Sequence, residues 1–326
     1  MAPVKLLIFI VPLLLCIVMV SGCTSSPPRG NASTQAAGTM FPVSLTDDLN
    51  RTLTFAGPPQ RVVSLAPSNT EILYGLGLGD RIVGVDVYSD YPDEAKSKPK
   101  MGGMINVSED AVIAARPDLV LVGQFTPVTT VGNLCAAKIK VFSAHPDNVS
   151  DTYRTVKMFG DLFGVPDRAQ QLLDTMRADV RDVTSLTSGL NDSSIPSVLV
   201  IITPGDTCYV ADKDGYMGDL IAIAGGRNVA TGPIMTPSEI AAADPDMIIV
   251  PLTGWTVTTF DSLRNGKEPW MQDLAAVKNG KVYSVDYDLA GRPGPRMGAA
   301  ARMMAETIHP ELYAKKSDND IKTGVT

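Results

Sequence analysis

The chain has 326 residues, of which 44% are hydrophobic and 19% charged, and its net charge is −7. An acidic balance without a basic run argues against a nucleic-acid partner, and the length allows two domains, each with its own core. With 4 cysteines and 2 histidines there is neither a disulfide framework to read nor a Cys/His cluster with zinc spacing.

Lys5 precedes an apolar run over 6–20. The run is long enough for a signal-peptide core and short for a spanning helix. It ends in Val20-Ser21-Gly22-Cys23, which resembles the lipobox of secreted lipoproteins, where small residues let a peptidase approach the backbone before the cysteine. Residues 1–22 therefore read as a signal peptide and Cys23 as a lipidation site, an anchor rather than a span. The alternative is an uncleaved anchor with Cys23 incidental. Either way the rest of the chain is expected outside the cell membrane, held to its outer face. Residues 23–40 are small, polar and Pro-containing, the composition of a flexible tether.

Residues 41–148 read as an N-terminal α/β lobe. A small strand pair is expected over 42–56. Strand 61–65 is followed by the turn Ala66-Pro67-Ser68-Asn69 and a helix over 70–76, with Ser68 or Asn69 as its cap. Gly77 and Gly79 end that helix. Because Gly75, Gly77 and Gly79 lie at a helix end and not at a start, they do not present amides to a phosphate. Strands follow at 82–85, 119–122 and 139–142, so strand and helix alternate as a parallel sheet requires.

Residues 149–190 differ. Val156, Phe159, Leu162, Phe163, Ala169, Leu172, Leu173, Met176 and Val180 recur at helical spacing, with charges opposite. Gly164-Val165-Pro166 interrupts the run, and Pro166 suits the first turn of a second helix. This segment reads as a bridging helix, or as the outer layer of one lobe. Residues 191–316 read as a C-terminal α/β lobe with strands at 198–202, 247–250 and 281–285, and residues 317–326 as a tail. Cys135 and Cys208 fall in different lobes and read as free thiols; a bridge between them would tie the lobes together.

Two stretches look like one piece used twice. Ser108-Glu109 opens a helical run ending in Arg116-Pro117-Asp118 before the apolar strand 119–122. Ser238-Glu239 opens another, ending in Asp244-Pro245-Asp246 before the strand 247–250. A Gly-Gly pair precedes each, Gly102-Gly103 and Gly225-Gly226. Two similar α/β halves imply two lobes with a ligand cleft between them. They also place a glutamate, Glu109 or Glu239, at one point on each lobe.

No nucleophile elbow, Walker loop or His-Glu-x-x-His motif occurs, so no catalytic residue is assigned and no enzyme activity is expected. What stands out are turns at strand ends carrying aromatic and polar groups. They hold Ser68 and Asn69, Tyr88, Met104, Gln124 and Phe125, Tyr209, Trp255 and Tyr287. In open α/β sheets ligands sit outside the carboxyl ends of strands, and flat side chains there suit a broad, partly apolar ligand.

The segments 61–71, Tyr88-Ser89-Asp90-Tyr91-Pro92 and 116–120 together resemble the cobalamin- and iron-siderophore-binding proteins of ABC importers, most nearly the cobalamin branch. The resemblance covers about residues 58–314. It implies two Rossmann-like α/β lobes with parallel-type sheets, bridged by a long helix, with the ligand in the cleft and little closure. Tyr88 matches a position lining the cobalamin cleft, and Tyr209 an aromatic on the second lobe's rim. Glu109 and Glu239 match paired glutamates that dock on the permease. The implied partners are an ABC permease with its ATPase, a small ligand (a corrinoid or an iron complex such as a ferric siderophore or haem), and the membrane through a lipid anchor. The chain is expected to be a monomer without a cofactor of its own, although the ligand can carry cobalt or iron. In known cobalamin binders a cleft tryptophan precedes each docking glutamate; here Met104 and Met235 stand nearby, and methionines make adaptable apolar walls. Arg292, in the loop after the last strand, is read as meeting a ligand oxygen, or as capping a helix or pairing with an acid. The rival classes are an enzyme, for which no nucleophile and base are seen, and a sensory ectodomain.

Overall fold

The computed structural model describes residues 41–253, 257–267 and 269–314; Cys23 and Trp255 lie outside them. The chain opens with the antiparallel pair β1 (Val43–Thr46) and β2 (Thr52–Phe55). Next come β3 (Val62–Ser64), α1 (Pro67–Gly75), β4 (Ile82–Val85), α2 (Asp93–Lys96), α3 (Glu109–Ala114), β5 (Leu119–Val122), α4 (Val128–Ala136) and β6 (Val141–Ser143). These four strands make one parallel sheet in the order β4-β3-β5-β6. Every residue of β3, β5 and β6 is buried, the mark of strands covered on both faces.

Two helices follow, α5 (Val149–Phe163) and α6 (Pro166–Thr187). The Asn148 side chain caps α5 by accepting from Asp151 N at 2.8 Å. Gly164, at φ 69°, ends it in the left-handed conformation that favours glycine. Pro166 starts α6 as read, because its missing N–H costs nothing there. A Cβ at Gly160 would lie 2.4 Å from Ala169 Cβ, so a glycine is what lets the two helices pack this closely.

The second lobe contains β7 (Ser197–Thr203), β8 (Cys208–Val210), α7 (Tyr216–Ile223), β9 (Arg227–Asn228), β10 (Ile234–Met235), α8 (Pro237–Ala243) and β11 (Met247–Leu252). It is completed by α9 (Val257–Arg264), α10 (Ala275–Lys278), β12 (Val282–Asp286), α11 (Tyr287–Ala290) and α12 (Met297–Ile308). Here β7, β11 and β12 are parallel, but β8 and β10 run antiparallel at one edge. That edge was not anticipated, because strands of two and three residues are too short to leave a periodic signal.

One apolar cluster runs from Val62 and Leu121 through Phe159, Phe163, Leu173 and Met176 to Leu220 and Met304. The bridging helices therefore share a core with both lobes. Separate clusters lie on the far face of each sheet. Cys135 is an exposed free thiol and Cys208 a buried one.

The internal repeat has a physical basis. Each half ends its helix with a non-glycine residue at positive φ, Arg116 at 48° and Asp244 at 36°, just before the Pro-Asp pair. Asp118 then accepts from the backbone N–H groups of Gln60 and Arg61 at 2.7 and 3.0 Å, pinning the entry to β3. Asp246 accepts from Ser197 N at 2.8 Å and from Ser197 Oγ at 2.7 Å, pinning the start of β7. The other signatures are less equivalent than their sequences imply. Gly102, at φ 91°, precedes α3, whereas Gly225, at φ 78°, closes α7. Glu109 is the first residue of its helix, but Pro237 opens α8 with Thr236 as its cap, which moves Glu239 two places further in.

Candidate functional site

A cleft lies between the lobes where the carboxyl ends of both sheets converge. Its cavity of about 630 Å³ is walled on one side by residues following β3, β4, β5 and β6 and on the other by the ends of β7 and β11 and the residues after β12. This is the position at which open α/β sheets bind ligands, because chain direction exposes loops and free amides there.

On the N-terminal lobe Tyr88 projects from the turn after β4. The turn is held by Asp86, which is fully buried: its Oδ1 accepts from Tyr88 N at 2.8 Å and its Oδ2 from Ser89 Oγ at 2.5 Å. Burial pushes the Asp86 carboxyl above the usual carboxylate value, and those two bonds only partly offset it. Ser89 Oγ also meets Thr70 Oγ1 at 2.9 Å, which donates to Ser64 Oγ at 2.8 Å, so a chain of buried hydroxyls backs the wall. Ser68, Met104, Gln124 and Phe125 also line the cleft. Gly102 allows the turn that carries Met104: a Cβ there would lie 2.5 Å from Asn106 O.

On the C-terminal lobe Tyr287 begins α11, which is capped by Asp286 through Leu289 N at 3.1 Å. Burial raises the Tyr287 phenol above its ordinary value, and the charge of Asp288 adds to this. Arg292 lines the cleft, but its guanidinium is occupied. Nη1 donates to Asp90 Oδ1 at 2.7 Å, and Nη2 to Asp288 Oδ1 at 2.6 Å and to Tyr88 O at 3.1 Å. Of the readings offered by the sequence, pairing with acids is the one seen. Next to it Arg296 makes two bonds to Glu71, at 2.8 and 2.6 Å, and its guanidinium carbon stacks 4.0 Å from the centre of the Tyr91 ring. Glu71, Asp90 and Tyr88 belong to the first lobe, Asp288, Arg292 and Arg296 to the second. The network therefore clamps one lobe to the other at the cleft wall.

Two expected contacts are not on the cleft wall. Asn69 is the third residue of α1 and not its cap, because Pro67 starts that helix. It is fully buried, and its amide donates to Ala144 O at 3.0 Å, tying α1 to the loop after β6. Tyr209 is exposed on β8, where it pairs with Ile234 of β10, outside the cavity lining. Met235 is fully buried in the second lobe's core, so only Met104 serves as a wall. Trp255 lies outside the described residues. Conversely, Asp90, His145 and Asp288 line the cleft without having been singled out. The strand-end rule that found Tyr88 would have found His145, two residues beyond β6. Glu109 and Glu239 lie away from the cleft lining. Glu109 Oε1 accepts from Asn133 at 3.2 Å. Glu239 Oε2 accepts from Thr236 N at 2.7 Å, and this bond, joined by one from the threonine hydroxyl, holds its carboxyl below the usual value. Among the described residues no group of three His, Cys, Asp or Glu side chains is arranged to hold a metal ion.

The sequence profile of a family described as periplasmic binding protein matches residues 62–289. An uncharacterized ABC transporter substrate-binding lipoprotein, YvrC, of Bacillus subtilis (strain 168) is 32% identical over 309 residues, covering 92% of this chain and 96% of the relative. A cobalamin-binding protein of Halobacterium salinarum is 27% identical over 87% of this chain and 78% of its own length. Among solved structures, the periplasmic heme-binding protein RhuT from Roseiflexus sp. RS-1 superposes with a TM-score of 0.69 at 25% identity, over 78% of this chain and 99% of that one.

Proposed function

The chain belongs to the periplasmic binding protein family, non-enzymatic substrate-binding components of ABC importers, and from that premise we propose that it captures a cobalamin-like corrinoid and delivers it to the permease. The observation that carries the reading is the cleft itself. Tyr88, Phe125 and Tyr287 bring broad apolar surface to it from both lobes, and the Glu71–Arg296 and Arg292 network ties the two walls in one fixed arrangement. A preformed cleft binds a large flat ligand without the cost of ordering its walls. The cobalamin-binding relative supports the corrinoid. The haem-binding structural neighbour supports a second reading, an iron-containing macrocycle in the same place.

Residues 1–22 are then a signal peptide, and a lipid on Cys23 tethers the protein outside the cell. Glu109 and Glu239, one on each lobe, dock onto cations of the permease. Each has one carboxylate oxygen engaged locally, which fixes its direction, and rim charges of this kind steer and orient a transient partner. Glu109→Arg combined with Glu239→Arg is expected to abolish ligand uptake by cells while the purified protein binds ligand as before. Loss of binding in that double variant would refute the docking role.

A further inference from the structure

Asparagine is unevenly placed in this sequence. About one residue in seven is serine or threonine, so chance would put about one or two of the 11 asparagines at the head of an Asn-x-Ser/Thr triplet with x other than proline. Five stand there: Asn31, Asn50, Asn106, Asn148 and Asn191. Asn31 lies outside the described residues. The other four all fall in turns and loops between regular elements or at the cap of a helix, where an enzyme can reach the backbone.

Their side chains differ in what they do. Asn50 is exposed in the turn between β1 and β2, at φ 58°, a left-handed position that asparagine tolerates. Asn191 is exposed in the loop between α6 and β7. Among the described residues neither side-chain amide has a hydrogen-bond partner, and neither residue lines the cleft. Asn148 is half-buried, and its Oδ1 is engaged by Asp151 N as the cap of α5. Asn106 is exposed as a residue, but its side chain folds onto the turn that carries Met104: a Cβ on Gly103 would lie 2.3 Å from Asn106 Oδ1.

We propose that Asn50 and Asn191 are acceptors of N-linked glycans and that Asn106 and Asn148 are spared. The donor class is a lipid-linked oligosaccharide. The asparagine Nδ2 forms a bond to the sugar C1, the bond from C1 to the lipid phosphate oxygen breaks, and the amide proton leaves with that phosphate. Thr52 and Ser193 supply the hydroxyl, two residues on, that completes each acceptor triplet. The transfer takes place outside the cell, so the inference rests on the location proposed above. Attached sugars are bulky and solubilising. At these two turns they stand on residues outside the cleft lining and leave ligand binding unchanged.

The test is mass spectrometry of the full-length protein purified from its own cells, with the peptides around each triplet mapped. Glycan mass is expected on Asn50 and Asn191 and none on Asn106 or Asn148. Asn50→Gln and Asn191→Gln should each remove one glycan. Because glutamine strains a turn at positive φ, Thr52→Val and Ser193→Ala serve as second variants. Each should remove the same glycan with its asparagine intact, while Thr52→Ser retains it. Bare asparagine at both positions, or sugar on Asn106 or Asn148 instead, would overturn the inference. Protease added to intact cells separates this failure from that of the location. Digestion of a bare protein refutes the glycans alone, whereas a bare protein out of reach of the protease refutes both.

Discussion

The two lobes repeat one frame and finish it differently. Both pin the start of a central strand with the aspartate of a Pro-Asp turn, and both carry an acidic residue in the first turn of the preceding helix. The first lobe keeps a purely parallel sheet, and its α3 begins without a side-chain cap. The second adds the antiparallel β8–β10 edge and gives α8 a full capping box between Thr236 and Glu239. The frame follows from strand pairing and chain direction, which tolerate little change. Edges and caps are local, so they are where two copies of a repeat can diverge and acquire separate surfaces.

The largest effect is expected at the tie between the lobes. Glu71→Ala leaves Arg292 and Arg296 short of their shared buried acid, and a loss of about 3 kcal/mol is expected by chemical denaturation. If the lobes then unfold in two steps instead of one, the clamp is what made them cooperate. A smaller effect confined to the first lobe is expected at Asp47. Burial alone would raise its carboxyl, but hydrogen bonds from the Arg51 side chain and backbone and from Ser143 N–H outweigh this and hold it below the ordinary 3.8. A carboxyl lowered on folding contributes stability that is present above 3.8 and lost as pH falls through the folded value. Asp47→Asn should therefore cost about 2 kcal/mol near neutrality and remove part of the acid-induced fall in melting temperature. The finest contrast is between the caps. Thr236→Ala should cost about 1 kcal/mol, whereas Ser108→Ala, which loses no side-chain cap bond, should leave the melting temperature nearly unchanged.

Much of the frame was legible because its signals are long or stiff. The central parallel strands of each lobe, the two helices over 149–187 and the Pro166 start all follow from apolar period and backbone restriction. The strand-end rule placed Ser68, Tyr88, Met104, Gln124, Phe125, Tyr287 and Arg292 around one cavity. It failed at Asn69 because a proline at the preceding turn started the helix earlier and rotated that side chain inward. Tyr209 lies outside that lining, on β8, which pairs with β10 at an edge too short to leave a periodic signal. Two partners of Arg292 were illegible for another reason. Glu71 and Asp90 meet it only through the relative placement of two lobes, and no local pattern encodes separations of 202 and 221 residues, whereas Asp288 is its i,i+4 neighbour in the same lobe.

Corrinoid capture in the cleft is tested by calorimetric titration of the purified protein with cyanocobalamin, repeated on Tyr88→Ala. Saturable one-to-one binding is expected in the wild type, weakened about tenfold or more in the variant, in line with the roughly 1.4 kcal/mol that a lost aromatic contact can supply. No binding of cyanocobalamin, or binding that is indifferent to Tyr88, would contradict it.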